Sequence, residues 1–125
     1  MTKSRAALII SLALLVVILH IVGLSLEFYW RLGWYDRIVH TLSGITVVLT
    51  LFSFSAVRRF SNKLPIFFLE VFFAALLVGL LWEVFELQAG ITFIGDHGYM
   101  FDTTWDIICD VIGGILAGGY LFLFD

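Results

Sequence analysis

The chain has 125 residues, of which 62% are hydrophobic and 14% charged, with a formal net charge of −3. A soluble domain is about 45–50% apolar and about 25% charged, so the composition excludes an ordinary soluble domain and predicts one integral membrane domain over residues 1–125. No basic tract suits a phosphate backbone, which excludes nucleic acid as a partner and leaves the lipid bilayer as the expected surroundings.

The first apolar segment covers about residues 5–28 and follows Lys3 and Arg5. Its apolar stretch is longer than the roughly 7–15 residues of a signal-peptide core, and no small-x-small cleavage site follows it. The segment is therefore predicted to be a retained membrane helix.

Three further apolar segments cover about residues 36–57, 64–89 and 102–124. Each has about 20 residues or more, enough to cross roughly 30 Å of hydrocarbon at about 1.5 Å per residue. The runs are continuous rather than alternating, and a spanning barrel needs at least about eight strands. The predicted fold class is all-α, an integral membrane four-helix bundle whose short loops make successive helices antiparallel.

The basic residues predict the orientation of this bundle. Lys3 and Arg5 precede the first segment, and three more basic residues lie between the second and third, whereas Arg31 and Arg37 lie on the opposite side. By the positive-inside rule both termini are cytoplasmic, in a multi-pass protein of the cell membrane. Aromatic residues typical of an interfacial belt then lie at the outer side, namely Trp30, Trp34, Tyr35, Tyr99 and Trp105.

Ionisable side chains lie toward the outer ends of three segments, each group at helical spacing. A charged group at a helix centre costs roughly 2.5–3.5 kcal/mol on insertion scales, so such groups indicate a functional site. The groups are Asp36 with His40 (i, i+4), Glu83 with Glu86 (i, i+3), and Asp102, Asp106 and Asp110 (i, i+4, i+8).

Close carboxylates cannot all be ionised, so they require shared protons, arginine partners or a cation. Oxygen ligands with an imidazole suit a divalent metal ion such as Mg²⁺, Mn²⁺, Zn²⁺ or Fe²⁺, and carboxylate-rich helical bundles use Glu and His from facing helices in this way. The predicted metal ligands are Asp36, His40, Glu83, Glu86, Asp102, Asp106 and Asp110.

Ordinary structural interpretations stay open for several of these residues. Asp36 and Asp102 each precede an apolar run and suit a helix N-cap, and Thr103 with Asp106 resembles a capping box. Arg31 and Arg37 suit simple ion pairs with one or two acids. Asp96 and His97, in a glycine-rich loop, are expected to be solvated, and His20 either lines the site or is a satisfied bundle histidine.

A GxxxG pair in the last segment, Gly114 and Gly118, permits close helix approach. It serves either packing within the chain or a homo-oligomer.

Three motifs in order resemble the YjdF-type family of small bacterial inner-membrane proteins and, more loosely, the VanZ-like family. The motifs are Trp34-Tyr35-Asp36 with His40, Trp82-Glu83 with Glu86, and Asp102-Thr103 with Asp106, Asp110 and Gly113-Gly114. The VanZ-like pattern differs at the positions of Glu86 and Asp110. The resemblance implies a protein of the cell envelope located in the bacterial inner membrane.

The leading hypothesis is a membrane protein whose carboxylate/His cluster binds a divalent cation or shares protons, and which binds or acts on a lipid or envelope precursor. If it is an enzyme, Glu83 or Glu86 is the expected general base. One alternative is a proton- or cation-coupled transporter working as an oligomer, although its inner half offers only Glu70 with some Ser and Thr. Another is an accessory subunit of a membrane complex.

Overall fold

The computed structural model describes residues 2–54 and 63–124, and these ranges contain helices and no strand. The all-helical prediction is therefore confirmed. Arg58 and Arg59, and the predicted end of the second segment at residue 57, lie outside the described residues. The helices are α1 (Lys3–Ser25), α2 (Phe28–Arg31), α3 (Tyr35–Ser53), α4 (Leu64–Ala89) and α5 (Tyr99–Phe124).

The first segment, predicted to continue to about residue 28, breaks before that point. Helix α1 ends at Ser25, and Glu27 has the left-handed conformation with φ 58°. This conformation costs a non-glycine residue roughly 1–2 kcal/mol. It redirects the chain into the single turn of α2, which brings the ring of Tyr29 beside that of His20, with the centroids 5.6 Å apart.

Both ends of the loop between α4 and α5 are set by glycines at positive φ. Gly90 (φ 69°) ends α4, and the N–H of Ile91 donates to the Glu86 carbonyl over 3.0 Å, as in glycine-terminated helices generally. Gly98 (φ 85°) precedes α5, and its carbonyl accepts the N–H of Asp102 over 2.9 Å. Helix α5 therefore begins at Tyr99 rather than at residue 102, and includes Tyr99 and Phe101, which precede the predicted segment.

Helix directions follow from the two ends of the structure. At one end an apolar cluster joins Ile9 of α1, Leu49 of α3, Phe67 of α4 and Leu121 of α5. The start of α3, the end of α4 and the start of α5 meet at the other end, around His40. Helices α1 and α4 therefore run opposite to α3 and α5, and α3 packs against each of the other three long helices.

Glycines allow α3 and α5 to approach backbone to backbone. A Cβ at Gly44 of α3 would overlap the Asp110 carbonyl of α5, and one at Gly113 would overlap the Thr41 carbonyl. The two glycines of the GxxxG pair face α4, as a Cβ at Gly114 would lie 2.6 Å from Ala75 and one at Gly118 3.1 Å from Val71. Gly114 also faces α3, where a Cβ would lie 3.1 Å from Val48. The close contact of α3 and α5 places the start of α3 beside the acidic residues of α5.

Three helices of the described residues, α1, α4 and α5, are long and apolar enough to cross a membrane. Helix α3 has 19 residues, and its first two turns contain Asp36, Arg37 and His40. Helix α3 is not among the three helices of spanning length and composition in the described residues.

Candidate functional site

Four carboxylates surround one buried imidazole where α3, α4 and α5 meet. His40 is 3% exposed, and its Nδ1 lies 2.9 Å from Oδ2 of Asp110. On the other side of the ring, Nε2 lies 3.3 Å from Oδ1 of Asp36, 3.9 Å from Oδ2 of Asp106 and 4.0 Å from Oε1 of Glu83. The structure thus brings together five of the seven predicted ligands, namely His40 and the four carboxylates around its ring.

The start of α3 is fixed by a tyrosine rather than by a capping aspartate. Trp34 occupies the N-cap without a side-chain capping bond, and Asp36 lies inside the first turn. The Tyr35 hydroxyl donates to the Leu19 carbonyl of α1 over 2.6 Å. The N-cap interpretation of Asp36 is therefore wrong. Its carboxylate lies near the positive end of the helix dipole, with Oδ1 3.3 Å from Nε2 of His40.

The two glutamates at the end of α4 have different surroundings. Thr103 of α5 donates its hydroxyl to Oε2 of Glu83 over 2.8 Å, so Thr103 bonds across helices and does not form a capping box. The other oxygen of Glu83, Oε1, is buried and has no hydrogen-bond partner among the described residues. Glu86 accepts the indole N–H of Trp82 over 3.0 Å. Both glutamates are buried.

One set of three ligand atoms has the spacing of a metal site. Single donor atoms of Asp36, His40 and Asp106 all lie within 4.8 Å of one another. Asp102, also predicted as a ligand, is exposed and lies outside this group. Because α5 begins at Tyr99, Asp102 lies inside the helix, and its N-cap interpretation is wrong.

A cavity of about 500 Å³ lies over the carboxylate cluster. Asp96 and His97, expected to be simply solvated, form part of its wall, and Asp96 also accepts the Phe93 N–H over 3.1 Å. The wall combines carboxylates, aromatic rings and loop residues. The lining residues are Tyr29, Trp30, Asp36, Glu83, Glu86, Gly90, Ile91, Thr92, Phe93, Asp96, His97, Tyr99, Asp102, Thr103 and Asp106.

A smaller recess of about 260 Å³ shares Asp36 and Asp106 with the main cavity and adds Arg37 to its wall. The Arg37 guanidinium lies over the Trp105 ring, 5.3 Å from the centroid. Neither Arg37 nor Arg31 forms an ion pair with a carboxylate in the described ranges. The predicted arginine ion pairs are therefore not observed there.

The hydrogen-bonding and packing partners of His20 are aromatic residues rather than the carboxylates around His40. Its Nδ1 lies 2.8 Å from the Tyr29 hydroxyl, and its ring packs edge-on against Trp82 with centroids 5.4 Å apart. Burial raises the pKa of the Tyr29 phenol, and the nearby Asp36 carboxylate raises it further. The phenol therefore stays protonated and forms a neutral wall of the main cavity.

Sequence reasoning missed the polar residues that support the cluster. The bond of Trp82 to Glu86 joins residues four apart on one helix, a spacing that could have revealed it. The bond of Thr103 to Glu83 joins residues 20 apart on two helices. No local pattern marks that second contact, because it depends on how α4 and α5 are packed.

No curated protein and no solved structure shows a significant match to this chain. One family, described as "Predicted membrane protein (DUF2238)", matches residues 5–125 and so covers nearly the whole chain. The YjdF-type proteins are in this family. The three helices of membrane-spanning length agree with the description. The chain therefore belongs to the DUF2238 family of predicted membrane proteins.

Proposed function

We propose that α1, α3, α4 and α5 cross the bilayer as an antiparallel four-helix bundle of the bacterial inner membrane. Helices α1, α4 and α5 have spanning length and composition, and α3 packs among them. The excess of basic residues around Lys3 and at positions 58–63 supports cytoplasmic termini. The carboxylate cluster then opens toward the outer side of the membrane.

We further propose that the cluster binds one divalent cation. The observation that carries this proposal is the position of His40. If its Nδ1–H donates to Asp110, the lone pair of Nε2 points at Asp36, Asp106 and Glu83. A lone pair facing three carboxylates is repulsive unless a cation lies between them. A histidine oriented by a carboxylate behind it is the usual arrangement at metal centres.

Glu83 provides independent support for a ligand at this point. Its Oε1 is buried without a hydrogen-bond partner in the described residues and lies 4.0 Å from Nε2 of His40. An unsatisfied buried polar group costs about 1–3 kcal/mol, and more when it is charged. A cation held by Asp36, His40 and Asp106 would satisfy this oxygen. One imidazole among oxygen donors suits Mg²⁺, Mn²⁺, Zn²⁺ or Fe²⁺.

The second candidate function is proton sharing. Both ring nitrogens of His40 lie near a carboxylate oxygen, at 2.9 Å from Asp110 and 3.3 Å from Asp36. A doubly protonated imidazolium would donate in both directions, and the cluster would then hold a proton instead of a metal ion. The two functions differ in whether the protein binds metal at all.

A binding or catalytic function on a lipid or envelope precursor fits the surroundings better than transport. In the described residues, the half of the structure beyond Asp110 contains an apolar core around Val48, Phe67 and Val71, whereas a proton or cation pathway is expected to be lined by ionisable groups. An apolar cavity of about 250 Å³, lined in part by Val17, Val78, Trp82 and Asp110, lies next to the cluster and has room for part of a hydrocarbon chain.

In a catalytic version of this function, Glu86 is the expected general base. Glu83 is directed at His40 and belongs with the proposed metal ligands. Glu86 lines the main cavity and is held by Trp82, which leaves its carboxylate available to a bound substrate. The looser VanZ-like resemblance also favours a role in the cell envelope.

Metal analysis of the purified protein tests the proposal. We expect about one equivalent of divalent metal after dialysis, and loss of that metal in His40→Gln and Asp106→Asn variants that still fold. Glu27→Gln, which neutralises an exposed carboxylate outside both polar cavities, is the matched control and should keep the metal. A folded wild-type protein that binds no divalent metal would favour proton sharing instead.

A further inference from the structure

An arginine without an acidic partner lies beside the carboxylate cluster. Arg37 follows Asp36 on α3, yet the Asp36 carboxylate faces His40, 3.3 Å from its Nε2, and the Arg37 guanidinium stacks on Trp105. Arg37 forms no ion pair within the described ranges. Its N–H donors are therefore available to a ligand.

The recess lined by Arg37 adjoins the proposed cation site. Asp36 and Asp106, which supply two of the three clustered donor atoms, line both this recess and the main cavity. A ligand in the recess would therefore contact the guanidinium on one side and the cation on the other. Tyr29 also lines both cavities, and its phenol is protonated.

The charges of these groups restrict the ligand. The carboxylates alone would repel an anion. An anionic ligand can therefore bind beside Arg37 only when a cation lies among Asp36, His40 and Asp106. Arginine offers a planar pair of donors that matches phosphate oxygens, and stacking on an aromatic ring keeps that plane in place. Arginine together with a divalent cation is a recurring arrangement for binding phosphoryl groups.

We propose that the site binds the phosphate group of its substrate between Arg37 and the cation held by Asp36, His40 and Asp106. This inference rests on the proposed function, because it requires the cation. A phospholipid headgroup and a small soluble phosphate offer the same chemistry. The exposed rings of Trp30 and Trp105 near the recess are typical of the headgroup level of a membrane.

The test measures phosphate binding and metal binding separately, with the full chain in phosphate-free detergent. Mn²⁺ is titrated first, followed by inorganic phosphate, and in a second arm phosphatidic acid added to the micelles is compared with diacylglycerol, which has no phosphate. Line broadening of the ³¹P resonance by bound Mn²⁺ reports a phosphate next to the metal. The variants are Arg37→Gln and Arg37→Lys, with Arg31→Gln as the control, because Arg31 lines neither polar cavity.

We expect Mn²⁺-dependent phosphate binding that weakens by about tenfold or more in Arg37→Gln, the scale of a lost charge-assisted hydrogen bond. Arg37→Lys should recover part of the phosphate affinity, Arg31→Gln should bind phosphate like the wild type, and all three variants should still bind Mn²⁺. If the protein binds phosphate in just one of the two arms, that arm identifies the ligand as either the lipid headgroup or the soluble phosphate. Normal Mn²⁺ binding without phosphate binding in either arm, or with no effect of Arg37→Gln, overturns this inference alone. Absence of Mn²⁺ binding overturns the proposed function as well.

Discussion

At the scale of single residues, the proposed metal site requires the two nitrogens of His40 to have different partners. Asp110 occupies one side of the ring at 2.9 Å, and Asp36, Asp106 and Glu83 face the other. Asp110 is buried beside Gly79, where a Cβ would lie 2.8 Å from its carboxylate oxygen. Asp110 is therefore placed to orient His40 rather than to bind the cation.

Neutralising Asp110 should weaken metal binding without abolishing it. In Asp110→Asn the ring keeps a partner of the same shape but loses the carboxylate, and such changes typically lower metal affinity by about 10–100-fold. Isothermal titration of Mn²⁺ or Zn²⁺ into folded protein measures the change, with Glu27→Gln as the control. An affinity equal to the wild type, or a loss as complete as in His40→Gln, would contradict this role.

A second prediction concerns the contact of Thr103 with Glu83. Thr103→Val removes the hydroxyl that holds Oε2 of Glu83 while nearly preserving the side-chain volume. We expect lower metal affinity and a loss of about 1 kcal/mol in the free energy of unfolding. Thr104→Val is the matched control, because the Thr104 hydroxyl bonds only the Met100 carbonyl within α5. Equal effects of the two substitutions on metal affinity would argue against a cross-helix role for Thr103.

At the scale of helices, the site exists because α3 and α5 touch through their backbones. The contact depends on Gly44 and Gly113, where a Cβ would overlap a carbonyl of the other helix. A backbone atom cannot move aside as the tip of a side chain can. Any substitution at these two positions must therefore separate the helices and move His40 away from Asp110.

Gly44→Ala and Gly113→Ala should each destabilise the fold by at least the roughly 1–3 kcal/mol of an overpacked core. Gly119→Ala provides the control in α5, since a Cβ there meets nothing within 4 Å. Alanine also favours a helix by up to about 1 kcal/mol relative to glycine in water, so Gly119→Ala should be neutral or stabilising. Unfolding in mixed detergent micelles measures the free energy of unfolding of all three variants. Similar stabilities for Gly44→Ala and Gly119→Ala would contradict the close packing.

At the scale of the whole molecule, the proposed orientation predicts which loops face the outside of the cell. In a Cys109→Ala background, Gly95→Cys in the loop between α4 and α5 should react with a membrane-impermeant thiol reagent in intact cells. Ser4→Cys should react only after the membrane is opened. Both positions are exposed in the structure. The reverse labelling pattern would place the site on the cytoplasmic side.

The amino-acid sequence alone predicts much of this architecture. Long apolar runs predict the helices, because only helices and closed barrels satisfy the backbone in lipid and the runs do not alternate as barrel strands do. The helical spacing of Asp36 with His40, and of Asp106 with Asp110, places each pair on one face of its helix. These features are local in sequence and therefore readable from it.

The remaining features depend on contacts between distant residues. His40 and Asp110 are 70 positions apart, and their pairing follows from the glycines that bring α3 onto α5. The N-cap interpretations of Asp36 and Asp102 were wrong because tyrosines begin both helices before the acids. The break at Glu27 has no glycine or proline to indicate it, so the first helix was predicted to be longer than it is.

The most direct test of the central claim is anomalous diffraction from crystals of the full chain grown with Mn²⁺ or Zn²⁺. We expect one strong anomalous peak from a metal ion that is bonded to Nε2 of His40 and to carboxylate oxygens of Asp36 and Asp106, at distances of about 2.0–2.3 Å. Asp110 should remain on Nδ1, outside the bonding distance. A peak only at the exposed loop around Asp96 and His97, or no peak at His40 under saturating metal, would contradict the account.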